Sequence, residues 1–552
     1  MFCYQCEQTA SGSGCTITGI CGKNPDTAAL QDLLVEVTKG ISKFAHRAAQ
    51  LGARNNEVDT FAIEALFTTV TNVNFDPARL ASMLREVVPV RDKAKAAYEE
   101  ACRSAGQSPE DLNGCSTWQP DVDLDGLVKQ GEMVSIRQRL GSLGEDITGL
   151  QELLIYGIKG MAAYAKHAQV LGHEDPEVYA FIHEGMDFVT KPDPTVDQLF
   201  TMCLRCGEAT VKVLALLDQA NSESYGNPEP TEVLWGHVPG KAILVSGHDL
   251  KDIELLLKQT EGKGVNVYTH GEMLPALSYP ELKKHKHFVG HYGGAWMRQR
   301  PEFSQFPGPI LMTTNCIQEP REDYKERIFT CGLVAWPGVR HIGDQDFTPV
   351  IEAALAAPGF DSASPAEKKL TVGFGHHAVL GVAGTVIEAV KSGALRHFFL
   401  IGGCDGAEAG RNYYSDLGKA LPDDTVCLTL GCGKFRLLGD DMGTIGGLPR
   451  RLDMGQCNDA YSAVKVAMAL ADAFGTDVNG LPLSIVLSWF EQKAVCILLA
   501  LLHLGVKDIR VGPALPAFIT PAVLNVLVEK FAIKPIGNVE EDLEAMLNKN
   551  AA

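Results

Sequence analysis

No stretch of this 552-residue chain is apolar for long enough to cross a bilayer. The longest apolar run, residues 494–504, falls well short of the roughly 20 residues a spanning helix needs. The opening Met1-Phe2-Cys3-Tyr4-Gln5-Cys6 has no basic stretch leading into an apolar one, so no secretory leader is expected there. Positive charge is also short: 49 Lys and Arg stand against 68 Asp and Glu, for a net charge of −19. That balance argues against nucleic acid as a partner, because phosphate binding needs basic patches. No G-x-G-x-x-G follows an apolar strand with an acidic partner, which excludes the usual dinucleotide and flavin fingerprints.

What the chain has in excess is cysteine, with 15 residues. A disulfide scaffold with this many thiols would normally be short and secreted. The expected compartment is therefore a reducing cytoplasm, with thiols free to bind metal. Hydrophobic content of 45% and charged content of 21% fit a globular protein of several domains.

The first 26 residues are rich in Cys, Gly, Thr and Ser and lack helical periodicity, as in a loop wrapped around something. From Thr27 to about Gln219 the pattern is helical. It repeats at an offset of 120 residues: Leu30, Gln31, Leu33 and Leu34 recur as Leu150, Gln151, Leu153 and Leu154, and Lys39-Gly40 recurs as Lys159-Gly160. Two related three-helix bundles are expected over 27–225. A turn-rich linker at 221–232 leads into alternating strand and helix, beginning with strand 242–246, helix 250–259 and strand 265–269. A second turn-rich stretch, 357–369, precedes another alternating series that starts with a strand at 370–374. The reading is an amino-terminal helical domain followed by two doubly wound, Rossmann-like α/β domains with mainly parallel sheet, at 226–360 and 361–552.

Cys3, Cys6, Cys15 and Cys21 form a C-x2-C-x8-C-x5-C quartet. A C-x2-C pair points two thiolates at one metal, and two more complete the set. Four thiolates suit an iron–sulfur cubane or a structural zinc site. A second C-x2-C, Cys203 and Cys206, lies inside a helical run with no further thiols nearby and reads as packing.

Six potential ligands each follow a short apolar run that reads as a strand: His248, Glu272, Cys316, Cys404, Cys432 and Glu491. Carboxyl ends of parallel strands are where ligands collect in open α/β sheets. Any one of these has an ordinary explanation, such as a buried thiol or a first-turn acid. Together they share one structural address. Thiols, an imidazole and carboxylates are too many donors for one zinc, and soft sulfur with hard oxygen suits a mixed iron–sulfur–oxygen cluster. Cys457, in a loop that opens a helix, is a further thiol of this kind. Lys493, close to Glu491 at the same helix start, could donate protons there.

The pattern resembles the hybrid-cluster, or prismane, proteins, the hydroxylamine reductase family. The likeness runs through the quartet, His270-Gly271-Glu272-Met273-Leu274-Pro275, Thr314-Asn315-Cys316, Gly403-Cys404-Asp405-Gly406, Gly431-Cys432-Gly433-Lys434, Gly455-Gln456-Cys457-Asn458-Asp459 and Trp489-Phe490-Glu491-Gln492-Lys493. The resemblance implies a 4Fe-4S cluster on Cys3, Cys6, Cys15 and Cys21. It also implies a hybrid 4Fe-2O-2S cluster on His248, Glu272, Cys316, Cys404, Cys432, Cys457 and Glu491. Cys404 matches a persulfide position, and Lys493 a lysine beside the cluster; with Glu491 these are the expected catalytic groups. The implied reaction is reduction of hydroxylamine to ammonia and water, with nitric oxide reduction to nitrous oxide as a second task. A separate redox protein would donate the electrons. Two other classes stay open: a nickel enzyme like carbon monoxide dehydrogenase, whose family shares the α/β architecture and strand-end ligands but lacks the two carboxylates, and a non-enzymatic redox sensor or protein-nitrosating agent.

Overall fold

The computed structural model describes residues 1–364, 368–404, 406, 410–439 and 441–548. Among these, the amino-terminal part is helical: α1 (Pro25–Gln50), α2 (Asn56–Thr68), α3 (Pro77–Ser104), α4 (Leu124–Met133), α5 (Ile136–Leu143), α6 (Glu145–Gln169), α7 (Pro176–Phe188) and α8 (Val196–Tyr225). The 120-residue repeat appears as α1–α3 against α6–α8, down to equivalent caps. The Asn55 side chain accepts from the Glu57 amide at the start of α2, and Asp175 accepts from the Glu177 amide at the start of α7.

The two repeats are also tied to each other by side-chain pairs that the sequence pattern does not show. Each middle helix packs within its own repeat, α2 through Val58, Phe61 and Ala65 and α7 through Phe181, Ile182 and Met186, and also reaches across to the other. His183 of α7 bonds Ser42 of α1 at 3.0 Å, and Arg47 of α1 pairs with Asp187 of α7 at 3.1 Å. Reciprocally, Lys166 of α6 pairs with Glu64 of α2 at 2.7 Å, and Gln169 donates to Thr60 at 2.8 Å. Such long-range pairs leave little trace in a local hydrophobic period. The short helices α4 and α5 fill the link between the repeats.

The first sheet holds β1 (Thr231–Trp235), β2 (Lys241–Ser246), β3 (Val265–His270), β4 (Phe288–His291), β5 (Ile310–Met312), β6 (Ile328–Cys331), β7 (Arg340–Ile342) and β8 (Lys368–Val372). Their order is β7-β6-β5-β2-β3-β4-β1-β8, parallel except for β1 with β8. Two expectations shift here. Helix α8 runs on to Tyr225 through half of the expected linker, until Gly226 with φ +80° stops it. The strand expected at 370–374 to open the second α/β domain instead pairs with β1 as the antiparallel edge of the first sheet.

The second sheet is built from β9 (His397–Gly403), β10 (Thr425–Leu430), β13 (Arg451–Asp453), β14 (Leu483–Ser488), β15 (Ile509–Gly512) and β16 (Lys534–Pro535). A small hairpin, β11 (Thr444–Ile445) with β12 (Leu448–Pro449), lies apart. The order β13-β10-β9-β14-β15-β16 is parallel throughout. Strand interiors such as Ile243, Leu244, Val245, Phe399, Ile401 and Val486 are buried, as strands covered on both faces require. No helix among the described residues is long and apolar enough to cross a membrane.

Candidate metal centres

Both sheets reverse their strand order at one point. In the first, the chain passes from β2 to β3 and β4 on one side and returns to place β5 on the other. In the second, β9 leads to β10 on one side, and β14 later joins it on the other. Crevices at such switch points are where open α/β sheets bind ligands. His248 follows β2 and Cys316 follows β5; Cys404 follows β9 and Glu491 follows β14. Glu272, Cys432 and Cys457 follow β3, β10 and β13. The last strand, only three residues long, gave too short an apolar signal to be read from sequence.

A glycine opens each switch point. Gly247 has φ +113°, and an added Cβ would lie 2.4 Å from Thr313 Oγ1. Gly403 has φ +102°, and its Cβ would lie 1.9 Å from the Ser488 carbonyl. Only glycine lets each strand tip turn this close to its neighbour.

All seven expected donors line one cavity of about 740 Å³, which extends between the second sheet and the helices Ala460–Phe474 and Gln492–His503 along apolar side chains such as Val464, Ala467, Leu498 and Leu501. Ligand atoms of His248, Glu272 and Cys457 all lie within 4.8 Å of one another. Cys316, Cys432 and Cys404 gather beside Trp296 and Phe490.

His248 is buried, and burial first, with the Lys493 charge second, holds its pKa well below the usual imidazole range. Its ring is therefore neutral at physiological pH, with a nitrogen lone pair to offer. Its Nδ1 meets Thr314 Oγ1 at 3.0 Å, leaving Nε2 3.8 Å from Glu272 Oε2. That Glu272 oxygen accepts the Cys457 amide at 2.8 Å, while Glu272 Oε1 is buried with no hydrogen-bond partner. A buried carboxylate oxygen without a hydrogen-bond partner is costly unless a cation compensates it. Cys316 has φ +82°, a costly backbone for a residue with a Cβ. Gln299 holds it there by donating to the Cys316 carbonyl at 2.6 Å. Burial raises the Cys316, Cys404 and Cys457 thiols well above their ordinary pKa. Such thiols become thiolates by binding a cation.

Lys493 is buried, and its Nζ donates to Asn315 Oδ1 at 3.1 Å and lies 3.9 Å from Glu491 Oε1. Burial opposes its charge, but Cys457, Glu491, Cys316 and Glu272 outweigh that and push its pKa up. Glu491 itself moves up through burial, partly offset by Lys493. Its carboxylate also caps the next helix by accepting the Lys493 amide at 2.8 Å.

Three supports were not read from sequence. Trp296 Nε1–H donates to Cys404 Sγ at 2.9 Å. Lys434 pairs with Asp453 at 2.6 Å with both side chains buried, and donates to the Gly455 carbonyl at 2.8 Å. It thereby ties the loop bearing Cys432 to the loop bearing Cys457. Thr314 orients His248. Lys434 and Thr314 stand inside the motifs noted above; Trp296 had no sequence signal. Asp405, expected in the glycine-rich turn after β9, lies outside the described residues.

The quartet thiols lie on the amino-terminal loop. Cys3 and Cys15 exchange backbone hydrogen bonds of 3.1 and 2.8 Å, Cys6 and Cys15 are buried, and Cys3 and Cys21 are half-buried. Burial, then Cys21 and Cys3, raises the Cys6 thiol. Buried Lys23 reaches Cys3 Sγ at 3.8 Å. No three of these thiols converge within 4.8 Å. One tetrahedral zinc with bonds of about 2.3 Å would hold its sulfurs nearer about 4 Å apart. Cys203 and Cys206 stay buried within α8.

Residues 1–544 match the Prismane/CO dehydrogenase family. The chain belongs to that family. Among curated relatives, a hydroxylamine reductase of Rhodospirillum rubrum is 61% identical over 546 residues, covering 99% of both chains. One from Methanocella arvoryzae is 55% identical over 547 residues, covering 99% of this chain and 100% of its own. Among solved structures, carbon monoxide dehydrogenase from Thermococcus sp. AM4 aligns with a TM-score of 0.56 at 18% identity, over 99% of this chain and 90% of that one. Carbon monoxide dehydrogenase IV from Carboxydothermus hydrogenoformans gives 0.57 at 16%, over 97% and 89%. At that identity the family likeness to the dehydrogenases is one of fold.

Proposed function

We propose that this prismane-family protein is an iron–sulfur oxidoreductase that reduces hydroxylamine: NH2OH plus two electrons and two protons gives NH3 and H2O. The observation that carries this reading is the convergence of seven donors of three chemistries at two switch points around one cavity, with Glu272 Oε1 buried and unpartnered. Full-length relatives named hydroxylamine reductase support it.

His248, Glu272, Cys316, Cys404, Cys432, Cys457 and Glu491 would hold a hybrid 4Fe-2O-2S cluster, with Cys404 as the persulfide position. Cys3, Cys6, Cys15 and Cys21 would hold a 4Fe-4S cluster; the spread of their thiols favours a cluster over one zinc. When bound, the hybrid cluster supplies a Lewis-acidic, electron-donating iron for the substrate. The chain does the rest. Thr314 presents the neutral His248 ring, and Trp296 donates to Cys404. Lys493 keeps a proton on Nζ, balances the anionic donors and is held by Asn315. Electrons would come from a separate redox protein, and fifteen free thiols suit a reducing cytoplasm.

The apolar extension of the cavity favours a second substrate, uncharged nitric oxide, reduced as 2 NO plus two electrons and two protons to N2O and H2O. The test is anaerobic iron and acid-labile sulfide quantitation with electron paramagnetic resonance, alongside ammonia release from hydroxylamine. Two distinct iron centres, no nickel and one ammonia per two electrons are expected. A single centre, nickel or zinc in its place, or no ammonia would overturn the reading.

A further inference from the structure

The two centres lie far apart in sequence yet share a backbone contact. The Glu7 amide, next to Cys6, donates to the Phe490 carbonyl, next to Glu491, at 3.0 Å. On the other side of Cys6, the Gln5 carbonyl accepts from Gln492 Nε2 at 2.6 Å. Both peptide groups flanking a quartet cysteine are thus bonded to the residues flanking a strand-tip carboxylate.

Gln492 is fully buried, and its amide is satisfied at both ends: Oε1 accepts the Thr71 amide at 2.8 Å. One donor and one acceptor partner fix which way the amide points. Gln5 is held as firmly. Lys159 Nζ donates to its Oε1 at 3.3 Å, and its Nε2 donates to the Thr69 carbonyl at 3.3 Å. Gly160 keeps α6 against this junction, since a Cβ there would lie 2.4 Å from the Gln492 carbonyl. A joint meant only to fill space would be cheaper in apolar side chains, because each buried polar group must be matched. Electrons tunnel better through covalent and hydrogen-bonded atoms than across van der Waals gaps. The shortest bonded route here leaves Cys6 through the Glu7 amide, crosses to the Phe490 carbonyl and enters Glu491; the Gln492 amide gives a second crossing.

We propose that this hydrogen-bonded junction between Cys6 and Glu491 is the route by which electrons pass, one at a time, from the quartet centre to the strand-tip centre, and that Gln492 is the positioning residue that holds it in register. The inference rests on the reading that both centres carry iron–sulfur clusters. Each transfer oxidises the quartet centre by one electron and reduces the strand-tip centre by one. Two transfers with two protons complete one hydroxylamine reduction, and an external one-electron reductant refills the quartet.

The experiment uses the loaded, dithionite-reduced full chain. After hydroxylamine is added, freeze-quenched paramagnetic resonance follows the decay of the reduced quartet signal in wild type, Gln492→Leu and Gln492→Glu. Misplacement of reacting groups by about 1 Å costs up to roughly 100-fold in rate, so the decay should slow about tenfold or more in Gln492→Leu. Gln492→Glu keeps the acceptor for Thr71 but loses the donor to Gln5, and should fall between the two. Iron content and both resting signals should stay as in wild type. An unchanged decay with both signals present would overturn the route. So would loss of a signal in the variants alone, since Gln492 would then retain a cluster and not couple two. Absence of either signal in the wild type would instead overturn the assignment of that centre.

Discussion

The proposed quartet centre and the proposed strand-tip centre would both bind through sulfur but are built in opposite ways. Four thiols on one short loop make the first, with two of them half-buried. The second draws seven donors from the tips of seven strands in two sheets, spaced from His248 to Glu491. The first needs only local turns; the second exists only when both sheets are formed and docked. A local site can be lost without the fold, and a composite site reports on the fold as well as on its own ligands.

The sharpest way to separate the two is to remove a strand-tip donor. Cys404→Ala and Glu491→Gln should each reduce hydroxylamine turnover to below about 1% of wild type, beyond the 10–100-fold typical of supporting residues. The quartet's paramagnetic signal should survive in both. Full turnover in either variant would place the chemistry elsewhere. Next in size is the Lys434–Asp453 pair. With both side chains buried, Lys434→Met strands the Asp453 carboxylate, and stability should fall by about 3–5 kcal/mol. Denaturant unfolding measures this. Strand-tip iron should be lost before quartet iron, because the loops of Cys432 and Cys457 lose their tie. Equal loss from both centres would break the contrast between local and composite sites. A milder probe is an iron chelator acting on the native protein. Half-buried Cys3 and Cys21 should give up quartet iron first, with a visible lag before the strand-tip centre follows.

The same contrast decides what was legible in the sequence. The quartet stood out because its spacing is local. The strand-tip donors stood out because strand and loop alternate visibly along the chain, so His248, Glu272, Cys316, Cys404, Cys432 and Glu491 share an address in the sequence itself. What stayed hidden depends on distant pairing. The tie between the two helical repeats rests on contacts such as Ser42 with His183, and the capture of β8 by the first sheet depends on an edge that β1 leaves open. Trp296 reaches Cys404 across 108 residues from an irregular segment with no periodic signal. The β13 tip that presents Cys457 is too short to alternate.

The smallest expected effect concerns acidity beside the quartet. Asp32 on α1 is half-buried there; burial raises its pKa from 3.8 to about 7, although Lys23 and Lys159 pull it down, Glu152 raises it and Arg139 lowers it. Burial likewise lowers Lys159 to about 8, against the pull of Glu152. For Asp32 the sign follows from the folded value lying above the unfolded one. The native state binds the proton more tightly, so its contribution is fully present below about pH 4 and is lost as pH rises through about 7. Asp32→Asn should therefore flatten that part of the stability curve between pH 4 and 7, making the variant relatively more stable at pH 8 than at pH 5 when each is compared with wild type by urea unfolding. Lys493 sets the opposite expectation at the strand tips, since its anionic neighbours keep it charged across the same range. If Asp32→Asn left the pH profile unchanged, the lysines around the quartet would already hold that carboxylate ionised in the folded chain, and the two centres would differ in how they are built but not in how they respond to protons.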